Sequence, residues 1–436
     1  MVFLPKNVYN INKCYSQFYE NLGGFTKMSL EMNLEKYAKL AVKVGVNIQP
    51  GQTLLVRSPI QCADFVRKVV KEAYDAGAKN VHIEWSDEVC GLIKYLNAPE
   101  ETFNEFPQWT ADQYVSIAKE GGAFLSIYAQ NPDLLKDVDP VRIANAQKAS
   151  ATALKEWRSY TMSDKSKWSI VSIPTNEWAE KVFPDVSTEE AVSKLWDAIF
   201  KCTRVDCEDP IKAWEMHNAD LKLRMDFLND KNFKSLKFKS SKTDLSIELP
   251  EGHIWASGAS KDPNGDNFNA NIPTEEVFSM PHKFGVNGVV HSTKPLVYGG
   301  NVIDNFSLTF KEGKIVDFNA EKGYETLEQL IKTDEGSHYL GEVALVPFKS
   351  PISDTNIVFF NTLYDENASC HLAIGSAYRS NIKDGADLKE EELDKYGVNY
   401  SLTHVDFMIG SEDMNIFGTD YNGDETQIFK DGNWAF

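Results

Sequence analysis

The stretch TLLVRSPIQCADFVRKVVKEAYDAGAKNVHIEWSD, residues 53–87, decides the fold because it places a helical pattern between two apolar strands. Residues 53–59 and 79–87 are short runs with the length and composition of strands, and residues 63–78 carry apolar side chains at helical spacing. Gly77 is a suitable C-terminal stop for that helix. A strand, a helix and a second strand in this order predict a βαβ unit and therefore a parallel sheet.

The same alternation of helices and strands extends from Met28 to about Asp230. Ser187 stands three residues before Glu190, a capping-box pattern that predicts the start of one of the later helices. The other predicted elements are a helix over residues 32–45, strands over residues 122–130 and 168–174, and one long helix over residues 141–162. This half of the chain is therefore predicted to be an α/β domain with a mostly parallel sheet.

The pattern changes after a helix predicted around residues 211–229. Residues 236–252 alternate apolar and polar side chains, and residues 306–320 do the same on either side of a hairpin turn between Lys311 and Lys314. Further helices are predicted near residues 322–332 and 362–374. Short strands joined by Gly, Asn and Asp turns dominate the rest, so the second half is predicted to be a mixed α+β domain.

Three segments follow from these patterns. Residues 1–27 form an N-terminal extension that we expect to be poorly ordered, residues 28–235 form the N-terminal α/β domain, and residues 236–436 form the C-terminal domain. The total of 436 residues is too long for one ordinary core and agrees with two domains.

Composition excludes several classes of partner. The formal net charge of −19 argues against binding to nucleic acid or to an anionic membrane, both of which require a Lys/Arg surface. The 6 cysteines are scattered without metal-ligand spacing, which is typical of a reduced, cytoplasmic protein. No apolar run reaches membrane-spanning length. We therefore expect a cytoplasmic protein with neither a nucleic-acid nor a membrane partner.

Two acidic positions in the second half stand out. Glu275 and Glu276 follow Pro273 and Thr274, and one interpretation is a helix N-terminus capped by Thr274, where acids are favoured. The other interpretation is a functional site. Glu342 differs because it opens an apolar segment, YLGEVALVPF, that reads as a buried strand. A carboxylate there is costly unless it is paired or binds a metal.

Two histidines, a tyrosine and an aspartate lie further along the same half. His371, in DENASCHLAIGSAY, falls on the helix predicted over residues 362–374, where a core histidine is the ordinary interpretation, and packing is the ordinary role for Tyr378. His404 and Asp406, in SLTHVDFMIGS, are two apart on a predicted strand and therefore project from the same face. That pair is either a hydrogen-bonded couple or half of a metal site.

The chemistry of this set favours a metal. Imidazole and carboxylate together suit zinc, cobalt or manganese, and the absence of cysteine pairs disfavours a closed structural zinc site. Three carboxylates and two imidazoles suit two ions that share a bridging carboxylate and a bridging water. The HExxH, GxSxG, Walker and GxGxxG motifs are absent from the chain.

Four ordered motifs, NIPTEEVF, YLGEVALVP, DENASCHLAIGSAY and HVDFMIG, resemble those of the thermophilic metallo-aminopeptidase family, which includes aminopeptidase T and PepS-like enzymes. The opening LEKYAKLAVKVGVNIQPGQTLLVRSP and the closing IFKDGNWAF are also similar, so the resemblance spans roughly residues 30–436. It implies a cytosolic, homodimeric metallo-exopeptidase with an α/β N-terminal domain and a metal-binding catalytic C-terminal domain. The ligands that it implies are Glu276, Glu342, His371, Tyr378, His404 and Asp406.

The function implied by this resemblance is hydrolysis of the N-terminal peptide bond of short peptides by a water that bridges two divalent ions. Zn²⁺ and Co²⁺ are the favoured ions, with Mg²⁺ and Mn²⁺ as alternatives. Glu342 is either a ligand or the general base, and Tyr378 either ligates a metal or donates a hydrogen bond to the oxyanion. A non-catalytic metal-stabilised binding protein and a metallo-amidase acting on a non-peptide substrate stay open as alternatives.

Overall fold

The structure, a computed structural model, describes residues 27–385 and 388–436. The predicted N-terminal extension therefore lies outside the described residues except for Lys27. The helices are α1 (Lys27–Leu40), α2 (Ala63–Asp75), α3 (Glu88–Asn97), α4 (Gln108–Lys119), α5 (Pro140–Ala153), α6 (Lys155–Thr161), α7 (Asn176–Val182), α8 (Thr188–Cys202), α9 (Pro210–Lys231), α10 (Tyr324–Ile331), α11 (Thr362–Glu366) and α12 (Glu390–Leu393).

The strands of the first half are β1 (Thr53–Pro59), β2 (Asn80–Ser86), β3 (Ala123–Tyr128) and β4 (Trp168–Ser172). Those of the second half are β5 (Ser235–Lys239), β6 (Asp244–Glu248), β7 (Ala256–Ser257), β8 (Ser260–Lys261), β9 (Asn267–Phe268), β10 (Val277–Ser279), β11 (Val286–His291), β12 (Leu296–Tyr298), β13 (Asn301–Lys311), β14 (Lys314–Lys322), β15 (Leu340–Leu345), β16 (His371–Gly375), β17 (His404–Met408), β18 (Asn415–Thr419), β19 (Glu425–Lys430) and β20 (Asn433–Trp434).

The four-stranded sheet of the first half has the order β2-β1-β3-β4, and every pair in it is parallel. This confirms the predicted α/β fold. Local signals act as expected: Gly77 has a left-handed φ of 96° just after α2, and the Ser187 side chain accepts a hydrogen bond from the Glu190 N–H at the start of α8. No described helix is both long enough and apolar enough to cross a bilayer.

The long helix predicted over residues 141–162 is interrupted at Leu154, where α5 ends and α6 begins. The Leu154 side chain is buried in a small apolar cluster with Tyr114 and Phe124. Both Trp157 and Arg158, on α6 after this break, line a cavity between the two halves.

The second half is built from antiparallel sheets. Nine strands form one sheet, in the order β12-β13-β11-β6-β5-β18-β19-β20 with β14 beside β13, and five form another, in the order β17-β16-β15-β10-β7. The hairpin predicted between Lys311 and Lys314 is present, and α10 lies within the predicted range 322–332.

The helix predicted over residues 362–374 is wrong beyond Glu366. Helix α11 ends there, and residues 371–375 form β16, which is buried between β15 and β17. A short segment with apolar residues on both faces does not distinguish a central strand from a buried helix. The helix N-terminus considered at Thr274 is also absent, because Glu275 and Glu276 lead directly into β10.

The division at residue 235 remains a prediction. Strand β5 begins at Ser235, where the parallel sheet gives way to antiparallel ones. However, the core of the first half also contains buried side chains from the second, including Ile272, Phe359 and Tyr364. The Trp178 indole donates a hydrogen bond to the Phe359 carbonyl at 2.5 Å, which further joins the two halves.

Candidate metal centre

The five-stranded sheet gathers the predicted ligands on neighbouring strands. Glu276 immediately precedes β10, Glu342 lies on β15, His371 begins β16, and His404 and Asp406 lie on β17. These strands are adjacent in the sheet, so residues far apart in sequence meet across short distances. The predicted same-face placement of His404 and Asp406 agrees with the strand that the structure shows there.

The register of the sheet leaves space between the ligands. Ala373 on β16 lies opposite Glu342 on one side and opposite Asp406 on the other. Gly375, two residues further, lies opposite His404. Directly opposed residues share a face, so small side chains occupy the floor between the larger polar ones. This arrangement creates room for ions above β16.

Two groups of ligand atoms result. Glu276, Glu342 and His371 form one group, and Glu342, His404 and Asp406 form the other; within each, the atoms lie within 4.8 Å of one another. His371 Nε2 is 3.0 Å from Glu276 Oε2 and 3.4 Å from Glu342 Oε1. His404 Nε2 is 3.6 Å from Glu342 Oε2 and 3.4 Å from Asp406 Oδ1. The two oxygens of Glu342 therefore face different imidazoles.

Backbone carbonyls orient both imidazoles. His371 Nδ1 donates to the Glu366 carbonyl at 2.9 Å, and His404 Nδ1 donates to the Ser376 carbonyl at 2.7 Å. Because a carbonyl only accepts, Nδ1 carries the hydrogen in each ring and Nε2 points toward the carboxylates. Histidines that bind metals are typically held in this way.

The titration of the cluster reflects its burial and crowded charges. Burial raises the pKa of Glu342 to about 7, and the charges of Asp406 and Glu276 act in the same direction. Burial disfavours the His404 imidazolium, but Asp406 outweighs it and raises the His404 pKa to about 9. Likewise, hydrogen bonds to Glu276 and Glu342 overcome burial and raise the His371 pKa well above its usual value. When no cation is bound, the protons retained by these groups therefore offset the repulsion between the carboxylates.

Tyr378 lies at the edge of the cluster. Its ring contacts that of His404 with centroids 5.0 Å apart, and it also lines the two cavities beside the cluster. Burial and the nearby carboxylates raise its pKa well above 10, which keeps the phenol protonated and able to donate a hydrogen bond.

The adjacent glutamates have different partners. Glu275 accepts a hydrogen bond from Arg204 at 2.8 Å and lies 3.7 Å from His217, on a different set of contacts from the cluster. Burial raises the pKa of Glu275 to about 7, and the Arg204 charge opposes that rise. Of these two adjacent glutamates it is Glu276, the one predicted from the sequence motif, that contacts His371.

Glu366 belongs to the same surroundings and was missed in the sequence. It is buried at the end of α11, and burial raises its pKa well above its usual value, reinforced by the charge of Asp406. Asn271 and Asn367 each donate to its Oε1 at 3.3 Å. The only local signal was an acidic residue five positions before His371, and the neighbouring Asp365 and Asn367 do not distinguish it from an ordinary polar turn.

The donor set fits divalent cations. Asp406 Oδ1 is buried and accepts no hydrogen bond from any described residue, although it lies 3.4 Å from His404 Nε2. A buried carboxylate oxygen without a donor is costly, and a bound cation would satisfy it. Nitrogen and oxygen donors of this kind suit Zn²⁺, Co²⁺ or Mn²⁺.

The chain is similar to known proteins along most of its length. The model of the thermophilic metalloprotease (M29) family matches residues 30–434. The chain belongs to this family. It is 57% identical to Aminopeptidase 2 of Geobacillus stearothermophilus, covering 93% of this chain and 98% of that protein. It is 53% identical to Aminopeptidase AmpS of Bacillus subtilis, covering 94% of this chain and 100% of that protein.

A solved structure shares the whole architecture. Wild-type AmpT from Thermus thermophilus superposes with a TM-score of 0.85 at 40% sequence identity, over 93% of this chain and 100% of that one. Membership of the thermophilic metalloprotease family confirms the resemblance seen in the motifs, the α/β fold class and the predicted enzyme class, a metallo-aminopeptidase.

Proposed function

We propose that this metallo-aminopeptidase removes the N-terminal residue of short peptides at a centre for two divalent ions. Glu276, Glu342 and His371 would hold one ion, and Glu342, His404 and Asp406 the other. The observation that carries this proposal is the position of Glu342, whose two carboxylate oxygens lie 3.4 and 3.6 Å from two different imidazoles. A carboxylate shared in this way is suited to bridge two ions.

Ions bound there would polarise the scissile carbonyl and generate hydroxide from a shared water at neutral pH. Hydrogen bonds within the protein orient the proposed ligands. The Nδ1–H bonds of His371 and His404 aim Nε2 into the cluster, so no rotation is required on binding. Both imidazoles must lose the Nε2 proton before they can ligate, which makes occupancy dependent on pH.

Two residues are available for proton and charge transfer. The protonated phenol of Tyr378 can donate a hydrogen bond to the oxyanion that develops on the substrate carbonyl. Because bridging two ions would occupy both oxygens of Glu342, we assign Glu366 to the same centre as the residue free for a further role. Once nearby cations favour its ionised form, Glu366 would serve either as a further ligand or as the group that accepts a proton from the attacking water.

The substrate assignment follows from the acidic character of the centre. A free α-amine would bind one of the ions or a neighbouring carboxylate, whereas a blocked N-terminus offers neither a lone pair nor a charge for that contact. This is the basis for an exopeptidase rather than an endopeptidase. A homodimeric assembly and a cytoplasmic location complete the proposal, the latter supported by the scattered cysteines, none of which pairs in the described residues.

Chelation and reconstitution test the proposal. The purified protein is assayed on leucine p-nitroanilide and a small peptide panel before and after treatment with a chelator, and bound metal is counted per chain. We expect activity to disappear with the metal and to return with two equivalents of Zn²⁺ or Co²⁺. Turnover that survives complete metal removal would refute the proposal.

The same assay separates the two alternatives. Two ions bound without turnover of any substrate would favour the metal-stabilised binding protein. Turnover limited to amides other than peptides would favour the metallo-amidase.

A further inference from the structure

Two guanidinium groups from the first half face the metal centre across a cavity. Arg57 on β1 and Arg158 on α6 both line a cavity of about 770 Å³ that also reaches Tyr378 and His404. A second cavity of about 800 Å³ adjoins it, and Arg158 lines this one as well, together with Asp406. Arg158 therefore lines both spaces, and each of them also reaches His404.

Neither guanidinium forms an ion pair with a carboxylate in the parts of the chain that the structure describes. Arg158 Nη1 donates to the Leu402 carbonyl at 2.7 Å, which uses one of its five donors. Arg57 lies against aromatic rings, 5.4 Å from the centroid of Tyr114 and 5.8 Å from that of Trp157. Most of the donors on both groups remain available.

The acids in the cavity have other partners. Glu84 accepts a hydrogen bond from the Tyr114 hydroxyl, Glu88 from the Asn131 N–H at 3.2 Å, and Asp334 from the Leu402 N–H at 2.6 Å. Burial lowers the pKa of Arg158, and the positive charge of Arg57 lowers it further. Two like charges thus face one cavity, and an anion placed near both would relieve their repulsion.

We propose that Arg158, assisted by Arg57, binds the C-terminal carboxylate of the peptide, so that the enzyme favours short peptides with a free C-terminus. This rests on the proposed function, because the metal centre must hold the other end of the substrate. A guanidinium matches a carboxylate with two parallel hydrogen bonds, a geometry that an ammonium group cannot reproduce. Each extended residue spans about 3.3–3.6 Å, so peptide length determines whether the carboxylate reaches the pair.

The first test uses the wild-type holoenzyme and three substrates: Leu-Gly-Gly, its C-terminal amide and leucine p-nitroanilide. Loss of one charge-assisted, bidentate contact should lower kcat/KM for the amide by about 10- to 100-fold relative to the free acid, chiefly through KM. Equal kcat/KM for acid and amide would overturn the proposal. No variant is required for this result.

The second test replaces Arg158. In Arg158→Met the ratio of kcat/KM for acid and amide should fall toward one, and Arg158→Lys should restore only part of it. Arg224→Met is the matched control, because Arg224 also donates to a backbone carbonyl, that of Phe436 at 2.6 Å, and lies against aromatic rings outside both cavities. It should retain the wild-type ratio.

The anilide separates the two levels of the proposal. Metal-dependent anilide turnover with no preference for the free acid would refute the carboxylate site alone, whereas absence of metal-dependent turnover would refute the proposed function. An equal loss on all three substrates in Arg158→Met would show that Arg158 acts only by holding the Leu402 segment ahead of His404, which would also overturn the proposal.

Discussion

Glu275 and Glu276 are adjacent and chemically identical, yet they have different contacts and therefore different expected roles. Glu275 pairs with Arg204 in a buried contact, and Glu276 contacts His371 at 3.0 Å. Loss of Glu275 leaves a partly buried guanidinium without its partner, and loss of Glu276 removes a proposed ligand. Substitution of Glu275 should therefore affect mainly stability, and substitution of Glu276 mainly catalysis.

Glu276→Gln should lower kcat by about 10²- to 10⁴-fold, because an amide is a weak ligand and the first group of donors would lose a charge. Glu275→Gln should keep turnover within a few-fold of wild type and should lower the free energy of unfolding by about 1–3 kcal/mol. Steady-state kinetics, metal content and thermal unfolding of the chelated protein measure these effects. Equal catalytic loss in the two variants would contradict the assignment.

Individual site residues were predictable where a motif or a strand periodicity marked them. The same-face pair His404 and Asp406 follows from spacing alone, and the choice of Glu276 over Glu275 follows from the family motif. Glu366 carried no such mark, because its approach to the cluster depends on the turn between α11 and β16. A contact that is created by tertiary folding leaves little trace in local sequence.

At the scale of elements, the wrong prediction that matters most for the site is the helix in place of β16. A helix over residues 362–374 would have placed His371 and Ala373 on different faces, whereas the strand places both on the face that carries the proposed ligands. Its flanking strands pair with it in antiparallel register, so Ala373 lies between Glu342 and Asp406. The small side chain at this position therefore determines how much space the ions have.

Ala373→Val tests this geometry. Valine suits a strand, but its two additional methyl groups should enter the space between the carboxylates and weaken metal affinity at least about 10-fold, with a parallel loss of kcat. Leu372→Val is the matched control because its side chain lies on the opposite, apolar face. It should cost about 1 kcal/mol of stability with unchanged metal affinity. Metal titration and thermal unfolding measure both, and unaltered affinity in Ala373→Val would contradict this account of the floor.

At the scale of the whole molecule, the first half was predictable because its alternation of strands and helices repeats and parallel sheets follow from that order. For the second half, the sequence predicted the mixed α+β class but not the order of the strands. Its sheets join strands distant in sequence, such as β5 with β18, and residue patterns along one strand do not identify such partners. The cavity between the halves, with Arg57 and Arg158 on one side, likewise depends on how the halves meet.

One surface of the first half supports the proposed homodimer. Strand β2 is an outer strand of the parallel sheet, and α3 follows it directly with no buried side chain. Val89, Ile93 and Leu96 lie on one face of that helix and are 61%, 55% and 55% exposed. An apolar helix face beside an open sheet edge is typical of a protein interface, and a two-fold axis would bring two copies of it together.

Ile93→Lys should therefore weaken the homodimer. A two-fold axis repeats the substitution on both copies, so two ammonium groups would enter the interface and the dissociation constant should rise at least about 100-fold. Val316→Lys is the control, because Val316 is 56% exposed on β14, away from α3. Sedimentation equilibrium over a range of concentrations measures both variants beside the wild type. A monomeric wild type would refute the dimer itself, whereas a dimeric Ile93→Lys with unchanged affinity would place the interface on another surface of the molecule.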